Sequence, residues 1–297
     1  MLSTTLLLAL ASAAHSAHII QSNDDGWAEL YLRTLNSALV ASSHQVLLSG
    51  PADNKSGSGS RDSNPQKRSK ACQYASCGAN SNAEWGVNQT TGTQFWVNSY
   101  PATSMRYAMD TFAPRVWGSD VKPDIAISGP NVGANLWVEV PFSGTVGAAC
   151  YAVNRGLPAI AFSALSGPSA AWNTSPIPDR ALLYADLAAN LTNRILESGK
   201  PYLPPGVFLN VNFPRYKEPC TKAANFKWVL TRINPGPLSP PDTTTCGSSR
   251  LPTELEVALS NNCHISVSVG DASDKTTIND DRQKVVLDKL GDMLSCM

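Results

Sequence analysis

The sequence predicts an α/β fold, a Rossmann-like three-layer α/β/α arrangement with a mostly parallel sheet, followed by a strand-rich C-terminal extension. Three observations predict it. Short, largely apolar runs recur through residues 18–215, stretches with helical spacing lie between them, and the runs end in turns rich in Gly, Asn, Asp or Ser. Alternation of this kind makes consecutive strands parallel and their crossovers right-handed, which yields an open, doubly wound sheet.

The first run, His18-Ile19-Ile20-Gln21-Ser22, reads as a strand that ends in Asn23-Asp24-Asp25-Gly26. Residues 27–41 then carry Leu30, Leu35 and Leu39 at helical spacing, and residues 45–49 form a second buried strand. Residues 50–93 turn to Ser, Gly, Asn and charge, a long loop region of the kind that is either functional or disordered. Residues 124–128 make another strand, followed by the turn-permissive stretch from Gly129 to Asn135. Ser143-Gly144-Thr145 opens a helix through Val153; residues 158–163 are a strand, 180–198 a helix and 207–212 a strand stopped by Pro214. Beyond lie two further strands, at 227–233 and 264–269, and a closing helix at 280–294. The chain divides on this reading into residues 1–17, a core at 18–215 and an extension at 216–297.

Residues 1–17 run from an apolar stretch into small residues, the layout of a secretory signal peptide, although no Lys or Arg precedes the apolar stretch. A secreted protein is expected, with no membrane span. Its seven cysteines then tend to pair, and local spacing suggests Cys72 with Cys77, Cys220 with Cys246, and Cys263 with Cys296. Cys150, in a small-residue helical stretch, reads as a buried apolar group rather than a nucleophile. Asn88, Asn173 and Asn190 begin glycosylation triplets; Asn54 also qualifies, but its neighbours argue for another use. Lys plus Arg number 23 and Asp plus Glu 23, so no bulk positive charge exists to neutralise a polymeric nucleic acid.

In an open parallel sheet, ligands bind beyond the carboxyl ends of the strands, where Asp24, Asp25 and the Asn131 loop fall. Adjacent carboxylates repel unless a cation compensates, and hard oxygen ligands suit magnesium or manganese, or calcium. Ser143-Gly144-Thr145 at a helix start offers hydroxyls and free N–H groups to an anion such as phosphate. Each motif also has a plainer use: the acidic turn as a helix cap, the serine as an ordinary N-cap, and the Ser/Gly run at 56–60 as a linker.

Taken together and in order, Ser22 to Gly26, Gly50 to Gly57, Ser128 to Asn135 and Ser143 to Ala149 resemble the SurE nucleotidase family across roughly the first two thirds of the chain. The resemblance implies a divalent metal held by Asp24, Asp25, Ser56 and Asn131, with Ser58 and Ser60 as alternatives two and four residues on. It implies a phosphate pocket of Asn23, Asn135, Ser143, Gly144 and Thr145, with Asp24 or Asp25 as the catalytic proton acceptor. It also implies a small phosphorylated substrate such as a nucleoside monophosphate, and a homodimer that exchanges its C-terminal strands. The leader and the extra cysteines look like the secreted fungal branch. Tyr100-Pro101-Ala102-Thr103-Ser104 departs from the family's Gly-Thr-Pro loop, which leaves substrate preference open.

The expected activity is metal-dependent phosphomonoester hydrolysis of the acid phosphatase or nucleotidase type. Four histidines cannot build a histidine-rich dimetal site, and neither an Arg-His-Gly nor a Cys-x5-Arg motif is present. No Gly-x-Ser-x-Gly elbow supports a serine hydrolase. The alternative reading is a secreted glycoprotein that binds metal or anions without turnover.

Overall fold

The computed structural model describes residues 16–260, 262–278 and 281–297, so the leader-like stretch falls, but for its last two residues, outside the described residues. Strand β1 (His18–Ser22) is followed by α1 (Leu30–Ala41) and β2 (Gln45–Pro51). β3 (Trp85–Val87) and β4 (Gln94–Val97) precede a helical segment in which α2 (Pro101–Tyr107) passes through one wide turn into α3 (Ala113–Trp117). Then come β5 (Ile125–Val132), α4 (Gly144–Asn154), β6 (Ala159–Ala164), α5 (Asp179–Glu197) and β7 (Val207–Phe213). β8 (Lys227–Thr231), α6 (Glu254–Leu259), β9 (His264–Asp271) and α7 (Asp281–Leu290) complete the chain.

Among the described residues, nine strands form one sheet in the order β3-β4-β2-β1-β5-β6-β7-β9-β8. It is parallel except at β3–β4 and β7–β9. The central strands are buried on both faces and therefore largely apolar. Successive residues of β1 face opposite layers: Ile19 packs in a cluster with Leu35, Leu39 and Tyr184, and Ile20 in another with Phe112 and Val146. That alternation makes the three layers.

Several expectations need adjustment. The first helix begins at Leu30, not Trp27, because the Trp27 N–H donates to Pro51 O and Glu29 caps the helix through Tyr31 and Leu32 N–H. The long polar region is not wholly loop: it holds β3, and β4 follows it directly. The extension's strands join the core sheet rather than standing apart, since β9 inserts between β7 and β8.

Three disulfides are present. Cys72–Cys77 is as expected, but the others are Cys220–Cys263 and Cys246–Cys296, not the pairs local spacing suggests. The physical reason is topological. Lys227 N–H at the start of β8 bonds Cys263 O just before β9, which brings the Cys220 and Cys263 segments together. The tail returns along β8, with Leu294 bridging Trp228, and carries Cys296 to Cys246. Loop-closure cost grows slowly with length, so proximity in sequence discriminates poorly between such partners. Among the described residues no helix is long and apolar enough to cross a membrane.

Candidate active site

The Asn23-Asp24-Asp25-Gly26 turn leaves the carboxyl end of β1 between the loops that follow β2 and β5. Both carboxylates are 2% exposed. Asp24 lies on the N-terminus of α4: Thr145 donates from its hydroxyl to Asp24 Oδ1 at 2.7 Å and from its N–H to Oδ2 at 3.1 Å. A helix start carries unsatisfied N–H groups and the positive end of the dipole, so it holds a carboxylate well. Asp25 Oδ2 accepts from Val132 N–H at 2.8 Å, which draws the end of β5, and with it Asn131, against the pair. The Asn54 amide reaches Asp25 Oδ1 at 3.4 Å.

Among the described residues neither aspartate has a cationic partner. Burial, opposed by the Thr145 bonds, raises the Asp24 carboxyl above its ordinary range. Burial first and the Asp24 charge second push Asp25 up to about 8. Two buried neighbouring carboxyls without a counter-charge fit a cation site.

The oxygen donors around them fit too. Asn131 turns its amide nitrogen to Gly133 O at 2.8 Å, so its Oδ1 is the end left for a ligand. The Ser58 hydroxyl is buried with no protein partner. It faces Asp24 across Gly144, where an added Cβ would lie 2.8 Å from both the Asp24 Cβ and the Ser58 Oγ. Ser56 is exposed, and its N–H donates to Asn54 Oδ1. Among the described residues no three His, Cys, Asp or Glu side chains cluster. Two carboxylates with amide and hydroxyl oxygens form a hard donor set of the kind magnesium, manganese and calcium prefer.

The other pocket residues are fixed rather than mobile. Asn23, fully buried, donates to Gly26 O and leaves its Oδ1 without a partner. Asn135 donates its amide to Ser163 Oγ at 2.7 Å. Its backbone is gripped by β7, since Asn212 Oδ1 accepts its N–H and the amides of Asn210 and Asn212 donate to its carbonyl. Ser143 caps α4 by accepting Val146 N–H at 3.0 Å. Lys55 and Arg61 stand 5.8 and 5.9 Å from the Tyr100 ring, and the Lys55 backbone N–H donates to the Asp24 carbonyl. Cys150 is buried and its thiol is pushed up to about 12, so it is an inert core group as the sequence suggests.

One participant escaped the sequence reading. Glu254, the first residue of α6, is fully buried and accepts from Trp137 N–H, the Asn210 amide and the Ser268 hydroxyl. It therefore braces the Asn135 loop at Trp137 directly and at Asn135 through Asn210. Burial pushes its carboxyl from 4.5 up to about 8. The folded state keeps a proton that the unfolded chain releases, so this group costs stability as pH rises from 4.5 to about 8. Glu254→Gln, which cannot titrate, should flatten that slope, although its NH2 group must face one of the three donors and so weakens the brace. Denaturant unfolding at pH 5 and pH 8 measures it; an unchanged slope would show that Glu254 is ionised in the fold.

The family model of the survival protein SurE matches residues 19–235. The chain belongs to the SurE family. An acid phosphatase of Yarrowia lipolytica is 28% identical over 281 residues, covering 84% of this chain and 78% of that protein. A 5'-nucleotidase SurE of Symbiobacterium thermophilum is 36% identical over 137 residues, 46% of each chain. The crystal structure of the SurE protein from Aquifex aeolicus superposes with a TM-score of 0.59 at 21% identity, covering 86% of this chain and 93% of that one, and shares the SurE fold. The SurE match takes in the aspartate turn, the β2 loop, Asn131, Asn135 and the α4 start, and ends before Glu254.

Proposed function

We propose that this SurE member is a phosphoric monoester hydrolase that depends on a divalent cation held by Asp24, Asp25, Asn131 and a serine hydroxyl of the β2 loop. The observation that carries this reading is the pair of adjacent buried carboxyls with no cationic partner among the described residues, ringed by unused oxygen donors. Its relatives, named acid phosphatase and 5'-nucleotidase, support the reaction class.

A cation bound there would supply Lewis-acid polarisation of the phosphate and lower the pKa of a water. The protein's own groups do the rest. Thr145 fixes Asp24 by two bonds, so its orientation costs nothing when substrate arrives. Asp25, fixed on one oxygen by Val132, is the candidate to accept the proton from the attacking water. Lys55 and Arg61 attract the phosphate. Asn23 and Asn135 line the pocket with rigidly placed amides. Trp137 and Phe142, 43% and 68% exposed on the turn before Ser143, offer apolar surface to the leaving group of a small substrate such as a nucleoside monophosphate.

We further propose an oxidising, extracellular setting, supported by the leader-like residues 1–17 and by three disulfides. The test of the activity is phosphate release from nucleoside monophosphates and from a generic aryl phosphate, with magnesium, manganese or chelator. Turnover that vanishes with chelator and returns with metal is expected. Tight metal binding without turnover on any phosphomonoester would favour the non-catalytic binding protein instead.

A further inference from the structure

Away from the aspartate turn, a cavity of about 1200 Å³ lies between α1, the β3–β4 edge and the start of α5. Four tryptophans line it, Trp27, Trp85, Trp96 and Trp172, together with Ile177 and Leu182. Trp172 and Leu182 are 42% and 48% exposed at its mouth, an unusual amount of large apolar surface to leave open in one place.

Set into this wall is Arg33, only 9% exposed. Its guanidinium lies 4.9 Å from the Trp27 ring and 5.4 Å from the Trp172 ring. Ring contacts of this kind engage the guanidinium's charge without using its donors, since the hydrogens lie in the plane. In that plane Arg33 Nη1 donates to Gln94 Oε1, a neutral acceptor that also receives the Asn88 amide. Arg33 Nε is buried with no partner. No carboxylate among the described residues pairs with it. Glu29, one turn earlier, spends its carboxylate on Tyr31, Leu32 and Ala170 N–H, and Asp186 lines the cavity but forms no ion pair with Arg33. Burying a charge without a counter-ion is unfavourable, so Arg33 is left wanting an anion.

We propose that this cavity binds a small amphiphilic carboxylate, its anionic head on Arg33 and its apolar body along Trp96, Trp172, Ile177 and Leu182. A carboxylate head supplies the counter-charge that Arg33 lacks in the fold, and its geometry matches a guanidinium. The body covers the exposed mouth, and the volume accommodates a chain larger than the head alone requires. The cavity wall reaches Trp27, two residues after Asp25, but none of the residues proposed to hold metal or phosphate lines it.

Octanoate and 1-octanol differ in the charged head and serve as the probes, read by quenching of tryptophan fluorescence and by equilibrium dialysis on the full chain. Octanoate is expected to bind at least about tenfold tighter than 1-octanol, and Arg33→Met to erase that preference. Leu182→Asp, at an exposed position that leaves folding intact, is expected to weaken octanoate binding while phosphate release stays unchanged. Equal binding of acid and alcohol, no binding of either, or a preference that survives in Arg33→Met overturns the proposal; should Arg33→Met fail to fold, undiminished octanoate binding in Leu182→Asp does so.

Discussion

Asp25→Asn is expected to lower phosphate release by at least about 10³-fold while making the metal-free protein harder to unfold. The two effects share one cause. Asp25 is buried beside Asp24 without a counter-charge, and its carboxyl is pushed up to about 8. In the metal-free fold it keeps a proton that the unfolded chain, ionising near 3.8, gives up, so metal-free stability falls as pH rises from about 4 to about 8. Asparagine keeps the acceptor for Val132 N–H and carries no charge, so the penalty disappears. On the proposed mechanism the cation would then lose a ligand and the attacking water its base. Thermal melts at pH 8 should place the metal-free variant above the parent, and manganese should raise only the parent's melting temperature. A variant that hydrolyses normally, or that gains the same stabilisation from manganese, contradicts the assignment of Asp25.

Gly147→Ala should destabilise the protein and impair turnover, against the helix propensity that favours alanine inside a helix by about 1 kcal/mol. Gly147 sits in the first turns of α4, where the β2 loop crosses it: an added Cβ would fall 2.0 Å from Gly59 O and 2.6 Å from Gly59 C. Those are backbone atoms, so the loop must move as a unit. Overpacking of this kind costs about 1–3 kcal/mol, enough to outweigh the propensity gain. The same loop carries Ser58 to its place facing Asp24, so the displacement reaches the site. Denaturant unfolding and kcat report the two consequences. A variant as stable as the parent, or more so, would mean that the loop does not lie on α4.

The central strands were legible because strands covered on both faces read as uninterrupted apolar runs, as Ile125 to Ser128 and Ala159 to Phe162 do. β3 and β4 were not. Trp85-Gly86-Val87 is three residues long and half-buried, and β4 opens on Gln94, whose side chain serves the Arg33 and Asn36 network rather than the core. The helical segment after it begins with Pro101 and passes through a wide turn, which breaks the 3.6-residue period. Disulfide partners depend on where β9 inserts, which no local pattern reveals.

At the site, Asp24, Asp25 and Thr145 were readable as an acidic turn and a helix start, and the fold joins them directly. Ser58 was distinguishable from Ser56 only by burial, a property of the loop's packing on α4. Glu254 lies more than a hundred residues along from the Asn135 loop it braces, without a motif of its own. A signal for its partners did exist: Asn210 and Asn212, two residues apart in an otherwise apolar strand, must share one face, and buried amides require partners.

The most direct test is to follow manganese binding and phosphate release together in the parent and in Asp24→Asn, each first stripped with chelator. The account predicts that in the parent turnover rises in proportion to bound metal, and that Asp24→Asn, still folded, loses tight binding and turnover alike. Full turnover by the stripped parent, or by Asp24→Asn, would contradict a metal-dependent reaction centred on the aspartate pair.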